Sequence, residues 1–380
     1  MTEANKIIYL DNAATTVVND EVLEAYNKAK KLYFANPSSI HIPGQEAGRM
    51  LEKAREQILR VLSCENEHEC IFTSGATEAN NLAIKGFAFK RMNRGKHIIV
   101  SSIEHPSVLE VAKQLEEVFG FSITYLPVNS RGVIELETLK KAIRKDTILV
   151  SIMAVNNEIG SINPIHDIVN LLKDYPLIAL HVDATQAMGK IDIPYQEIDM
   201  FTFSGHKIHG LNSSGALIKK KKIELLPLLN GGGQENNIRS GTNDLALAVS
   251  LAKALRISHE KMKSNYEKLL PINNYLKEYI LSHKELYELN SFNNPYIVNF
   301  SLLTKKASVV VEALSNRGVM VSSTSACHAK EEPISYVVLA LGKNENIAHN
   351  TIRVSFSDFT TLEDIKQFVN KLEEVIEGLV

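Results

Sequence analysis

The chain has 380 residues, 44% of them hydrophobic, with a formal net charge of −2 and a pI near 6.7. Its length exceeds one average domain, and its near-neutral charge excludes nucleic acid or an anionic membrane as the main partner on electrostatic grounds. The start, MTEANKIIYLDNAATT, turns polar too soon for a signal peptide, and apolar runs such as TILVSIMAV at 147–155 are too short to cross a bilayer.

In chain order, a 3.6-residue apolar period predicts helices over 20–33, 44–62 and 78–92. Short β-branched runs predict strands at 70–74, 97–103, 122–128, 147–155, 177–184 and 200–205. Strands spaced by helices indicate an α/β fold with a doubly wound, largely parallel sheet. A long amphipathic segment at 244–280 then changes the rhythm, so the expected division is a large domain over 17–257 and a smaller α/β domain made of 1–16 with 258–380. The run KKKK at 219–222 reads as a solvated turn after the strand GALI rather than a docking patch. Three cysteines in no regular framework suit a reducing cytoplasm. Cys64 and Cys70 flank His68, but their spacing matches no standard zinc pattern, and no metal site is expected.

Ligands of open α/β sheets gather beyond the carboxyl ends of the strands, and here those ends carry distinctive polar residues. CIFTSGATEANNLAI runs from a strand through Ser-Gly into a helix beginning near Thr77, a start that suits either a phosphate or an ordinary N-cap. His105, between a strand and a helix, reads equally as a base, a stacking group or a satisfied loop residue. Asp183 follows an apolar strand directly, with Gln186 a helical turn on, and a buried acid there needs a cation or strong donors. MFTFSGHKIHG ends a strand in Ser204, His206 and Lys207. A partly desolvated amine at Lys207 has a lowered pKa and forms a Schiff base. Pyridoxal phosphate accounts for the whole group, since it needs an amine, an acid facing the pyridinium nitrogen, phosphate donors and a cover over the ring.

Cys327 sits in SSTSACHAK among small residues, beside His328 and near Lys330. It reads either as a packing cysteine or as a nucleophile; the following HAKEEPIS is polar, contains Pro333 and lacks an apolar period, as a mobile solvent-facing loop does.

The ordered motifs YLDNAATT, NPSSIHIPGQEA, SGATEANNLAI, EHPSV, VNNEIGSINPI, VDATQAMGK, FSGHKIHG, GGGQENNIRSGT, SSTSAC and IRVSFSDFTT resemble those of NifS/IscS-type cysteine desulfurases over nearly the whole chain. The resemblance implies a PLP-dependent transferase of fold type I, aspartate aminotransferase-like and of the class V aminotransferases. Lys207 matches the lysine that carries the cofactor, Asp183 the acid facing the ring nitrogen, Gln186 the partner of the phenolic oxygen and His105 the histidine stacked on the ring. Thr77, Ser204 and His206, with the Ala76 backbone, match phosphate ligands, and Thr242 one donated by the neighbouring subunit, which implies a homodimer. Asn156 and Arg353 match residues near the cofactor and substrate, with Asn36 a further candidate for the substrate carboxylate; an Arg fork suits that carboxylate. Cys327 matches the nucleophile that takes sulfur from L-cysteine, leaving alanine and a persulfide, and a thiolate is the reactive form.

The implied acceptor is an iron–sulfur scaffold protein or a tRNA-thiolation enzyme, with no membrane and no direct nucleic-acid partner. A selenocysteine lyase or a class V aminotransferase is the alternative. Three departures stand out: Thr324 replaces the glycine usual in the family's SGSAC, His328 and Lys330 place positive charge by the thiol where it would lower the Cys327 pKa, and Leu211 and Asn212 replace the usual GPKG.

Overall fold

A computed structural model describes residues 7–323 and 334–378. In chain order these run through β1 (Ile8–Tyr9), α1 (Asp20–Leu32), α2 (Ile42–Val61), β2 (His68–Thr73), α3 (Ala76–Arg91), β3 (His97–Ser101), α4 (Pro106–Phe119), β4 (Ser122–Leu126), α5 (Leu136–Ala142), β5 (Thr147–Ser151), α6 (Ile165–Leu172), β6 (Ala179–Asp183), β7 (Met200–Ser204) and β8 (Gly215–Lys220). There follow α7 (Leu245–Glu260), α8 (Met262–Ser282), β9 (Tyr287–Leu289), β10 (Ile297–Leu302), α9 (Ala307–Ser315), β11 (Val319–Met320), β12 (Ser322–Ser323), α10 (Tyr336–Ala340), α11 (Glu345–His349), β13 (Thr351–Ser355) and α12 (Leu362–Gly378).

The main sheet has seven strands in the order β2-β8-β7-β6-β5-β3-β4. All neighbours are parallel except β8, which runs against both β7 and β2. The carboxyl ends of β2, β3, β5, β6 and β7 therefore share one edge. Every residue of β3, β5, β6 and β7 is buried, as continuous β-branched runs covered by helices on both faces require. Short-range chemistry starts the helices: Asn19 caps α1 through the Glu21 amide, and Asp244 caps α7 through the Ala246 and Leu247 amides.

The long 244–280 segment divides at Lys261 into α7 and α8, with Pro271 inside the latter. The antiparallel sheet β12-β13-β10-β9 and a parallel β1–β11 pair lie beyond it. One large hydrophobic cluster draws on residues between Val22 and Ile257, and another joins Ile8, Leu10 and Ala13 to residues between Leu269 and Val375. The N-terminal segment thus leaves its sequence neighbours to pack with the far end of the chain.

The lysine run meets expectation only in part: Lys221 and Lys222 lie in an exposed turn, but the strand reaches further than GALI. β8 continues through Lys219, which is 2% exposed rather than solvated; its amine is held by the Glu69 carboxylate and the Ile223 carbonyl. A lysine placed between two strands stays buried because both a counter-charge and a carbonyl satisfy it.

Candidate functional site

The β2–α3 and β7–β8 turns meet first. Gly215 on β8 is registered with both Thr73 and Ser204, so the ends of β2 and β7 flank it. A Cβ at Gly215 would stand 2.6 Å from the Gly75 Cα, so only glycine lets the two turns approach. Gly75 itself holds φ +151° and ψ 177°, a region essentially reserved for glycine. From there α3 begins with no side-chain cap, and the Ala76 amide donates to the Ser204 hydroxyl at 2.7 Å. The first-turn amides of a sixteen-residue helix, with Thr77 and Ser204 beside them, make a donor set suited to a phosphate. His206 follows in the β7 turn, where burial first and then Lys207 and Lys190 pull its pKa down to about 4.

Lys207 closes that turn. Its Nζ donates to the carbonyls of Ala13 and Ala14 at 2.5 and 2.7 Å, and Thr16 binds the His206 carbonyl through both its amide and its hydroxyl. Gln186 joins the same point, donating from Nε2 to the Ala13 carbonyl at 3.0 Å, while its Oε1 lies 3.4 Å from Lys190 Nζ. Burial and the nearby Lys207 draw the Lys190 pKa down to about 7.

Asp183 ends β6 and is buried. Its Oδ1 accepts from the Thr185 amide at 2.9 Å and its Oδ2 from Asn80 at 2.8 Å. His105 caps α4, its Nδ1 accepting from the Ser107 amide at 3.1 Å. Burial lowers the His105 pKa, and Lys207 lowers it further against the opposing pull of Asp183.

Arg353 lies on β13, 9% exposed, with Nη2 on Asp11 at 2.9 Å and Nη1 on the Asn157 carbonyl at 3.0 Å. Its Nε is buried and has no hydrogen-bond partner among the described residues, a donor still to be satisfied. Asn156 is fully buried, and its side-chain amide ties two loops together: Nδ2 donates to the Ile103 carbonyl after β3, and Oδ1 accepts from the Glu158 and Ile159 amides of its own loop. Asn36 stands in an exposed turn with its Oδ1 on the Ser38 amide. Thr242 is exposed in a cleft it shares with Ser74, Ser214 and Arg239.

Cys327 lies outside the described residues, as do Thr324, His328 and Lys330. The flanking residues do not: Ser322 pairs with Arg353 across β12 and β13, and Tyr336 on α10 donates at 2.6 Å to the carbonyl of Glu104, the residue before His105. Cys64 and Cys70 are both buried; burial pushes the Cys64 thiol up to about 12 and raises Cys70 as well. Among the described residues no group of three or more His, Cys, Asp or Glu side chains is arranged to hold a metal ion, and no helix is long and apolar enough to cross a membrane.

Sequence reasoning passed over Asn80, Ser107 and Asp11. Asn80 was the most visible of these: it interrupts the buried apolar face of α3 formed by Ala79, Leu82 and Ala83, and a polar side chain there must have partners.

The aminotransferase class-V family matches residues 8–368. The chain belongs to that family. It is 41% identical over 377 residues to the cysteine desulfurase IscS of Dictyoglomus turgidum, covering 98% of this chain and 95% of that protein. Among solved structures, a NifS-like protein superposes with a TM-score of 0.90 at 35% identity, covering 98% of this chain and all of the other. A structure of SspA in complex with cysteine does so with a TM-score of 0.78 at 35% identity, covering 93% and 99% of the two chains. The fold is that of the PLP-dependent fold type I enzymes, an α/β arrangement with a mostly parallel mixed sheet of seven strands.

Proposed function

We propose that the chain is an L-cysteine desulfurase that uses pyridoxal phosphate, releases alanine and passes sulfur onward from a persulfide on Cys327. The observation that carries this reading is the convergence of the Lys207 amine, the Asp183 carboxylate and the uncapped start of α3 at the carboxyl ends of three strands of one sheet. The donor set fits the cofactor: phosphate at α3 with Thr77, Ser204 and His206, the acid Asp183 toward the ring nitrogen, Gln186 toward the phenolic oxygen and His105 over the ring. When bound, the cofactor supplies an aldehyde for an amine and an electron sink that draws charge from the substrate's α-carbon.

The chain's own residues do the rest. Arg353 would bind the substrate carboxylate, Lys207 would accept and return protons at Nζ, and Asp183 would favour a proton on the ring nitrogen facing it. Cys327 then attacks the substrate sulfur as thiolate; the Cβ–S bond breaks, the sulfur stays on the enzyme as a persulfide, and the carbon skeleton leaves as alanine. Cys64 and Cys70 are poor candidates for this step, since burial keeps both as thiols. The segment that carries Cys327 is anchored on one side by the Ser322–Arg353 pairing and on the other by Tyr336 beside His105.

The reading extends to a cytoplasmic homodimer in which Thr242 of one subunit serves the phosphate site of the other; its exposure in the single chain supports that. The division into 17–257 and 1–16 with 258–380 belongs to the same proposal, as does an acceptor that is an iron–sulfur scaffold or a tRNA-thiolation enzyme. Borohydride reduction with peptide mapping tests the core of it. The expected result is cofactor on Lys207 and, after incubation with cysteine, transferable sulfur on Cys327. Cofactor fixed elsewhere, or sulfur on Cys64 or Cys70, overturns it.

A further inference from the structure

Five side chains form a continuous hydrogen-bond network at the candidate cofactor site. Thr202 Oγ1 donates to Asn80 Oδ1 at 2.5 Å; Asn80 Nδ2 reaches both Asp183 Oδ2 at 2.8 Å and Ser107 Oγ at 2.9 Å; Ser107 Oγ lies 2.9 Å from His105 Nδ1. Asn80 and Thr202 are fully buried, and Ser107 nearly so. Buried polar groups in such a network are costly to leave unpaired, so each proton is directed at a partner.

The direction of every bond follows from Asp183. A carboxylate accepts only, so the amide nitrogen of Asn80 must face it, and Oδ1 must face the Thr202 hydroxyl. The second N–H of Asn80 is then spent on Ser107 Oγ. That hydroxyl has a single proton, and the remaining partner for it is His105 Nδ1. The Ser107 backbone amide donates to the same nitrogen at 3.1 Å. Two donors aimed at Nδ1 forbid a hydrogen there, and burial, which lowers the His105 pKa, keeps the ring neutral. The ring's one proton is left on Nε2.

We infer that Asn80 and Ser107 are positioning residues: Asn80 aims the Asp183 carboxylate, and through Ser107 it holds the exchangeable proton of His105 on Nε2. The inference rests on the proposed function for its purpose, since a histidine over the ring then gives and takes protons only at Nε2. Its geometry stands without that function. The acid below the ring and the histidine above it share one buried amide, so a change at Asn80 reaches both.

The test uses full-length protein with ring-labelled histidine, with and without bound pyridoxal phosphate, and reads the His105 nitrogens by 15N NMR. In the wild type, Nδ1 should show the shift of an unprotonated, hydrogen-bonded nitrogen and Nε2 that of a protonated one. Asn80→Asp keeps size and the acceptor for Thr202, but the new carboxyl shares one proton with Asp183 and has no second N–H for Ser107, so the Ser107 hydroxyl turns toward it. Asn80→Asp and Ser107→Ala should then move the Nδ1 signal the same way, and the double variant no further than the larger single change. Only Asn80→Asp should also shift the absorption maximum of bound cofactor, with turnover down by about tenfold or more.

A wild-type ring protonated on Nδ1, a His105 signature unmoved by Asn80→Asp in a folded protein, or shifts that simply add would each overturn the inference. If Asn80→Asp fails to fold, Ser107→Ala alone decides it: an unmoved Nδ1 signal overturns the relay. The signals without cofactor are independent of desulfuration, so a wild type that shows them but leaves cysteine intact counts against the proposed function only.

Discussion

Arg353 and Asp11 are 342 residues apart in sequence and 2.9 Å apart in space. The pairing fixes the guanidinium, with Nη1 on the Asn157 carbonyl and the buried Nε without a partner among the described residues. A lysine at this position keeps the charge but loses the planar fork. Arg353→Lys is expected to raise the KM for cysteine about tenfold or more and to change kcat less, with the colour of bound cofactor retained. Steady-state kinetics decide it, and an unchanged KM would remove Arg353 from the substrate site.

Gly75→Ala tests the turn that opens α3. The backbone at φ +151° costs a non-glycine residue about 1–3 kcal/mol, and the new Cβ would sit 3.4 Å from the Ser204 hydroxyl. The expected outcome is a lower melting temperature together with faster loss of pyridoxal phosphate on dialysis. Full cofactor retention would mean that this turn does not shape the phosphate site.

His181 predicts an acid-sensitive component of stability. It is fully buried on β6, its Nδ1 bonded to Ser151 at 2.8 Å, and burial lowers its pKa from 6.5 to about 4 against the attraction of Asp183. The unfolded ring takes a proton near pH 6.5 while the folded ring resists until about pH 4, so its contribution is complete above about 6.5 and is lost as pH falls toward 4. Urea unfolding between pH 8 and 4 should show a shallower decline in His181→Asn than in the wild type. Parallel curves would contradict this.

The loop that carries Thr242 depends on a buried ion pair. Glu235, buried and at φ +49°, takes Arg55 at 2.8 Å, the Phe72 amide at 2.9 Å and the Asn243 amide at 2.5 Å. Glu235→Gln leaves the largely buried Arg55 with only the exposed Glu52 carboxylate, at 3.2 Å, as counter-charge and is expected to cost about 1–3 kcal/mol by urea denaturation. The Arg55→Met, Glu235→Gln pair should cost clearly less than Glu235→Gln alone. Equal losses would show that the charge pairing is not what holds the loop.

Strand-end residues were the most legible part of this chain because they follow apolar runs whose period and length are local properties. Asp183, Ser204 and Lys207 stand where such runs stop, and the strands do end there. Lys219 was misjudged because burial of a lysine depends on Glu69, a partner from another strand that no local pattern announces. The break at Lys261 was equally hidden, since apolar period continues across it. Asp11 belonged to an evident motif, but its partner Arg353 comes from the opposite end of the chain. Asn156 shows the converse: a motif position whose side chain is engaged entirely in joining its own loop to the one after β3.

The N-terminal segment is stitched to both lobes: Ile8 and Tyr9 pair with Val319 and Met320, Asn12 and Ala13 bond Ser355, and Ala13 and Ala14 receive the amine of Lys207. During synthesis Ala13, Ala14 and Thr16 can lie against Gln186, Lys207 and His206 once the seven-stranded sheet has formed, whereas Ile8, Tyr9 and Asn12 wait for Val319, Met320 and Ser355. A nascent chain halted before residue 355 would therefore hold the Lys207 amine against a segment whose own anchors are still missing.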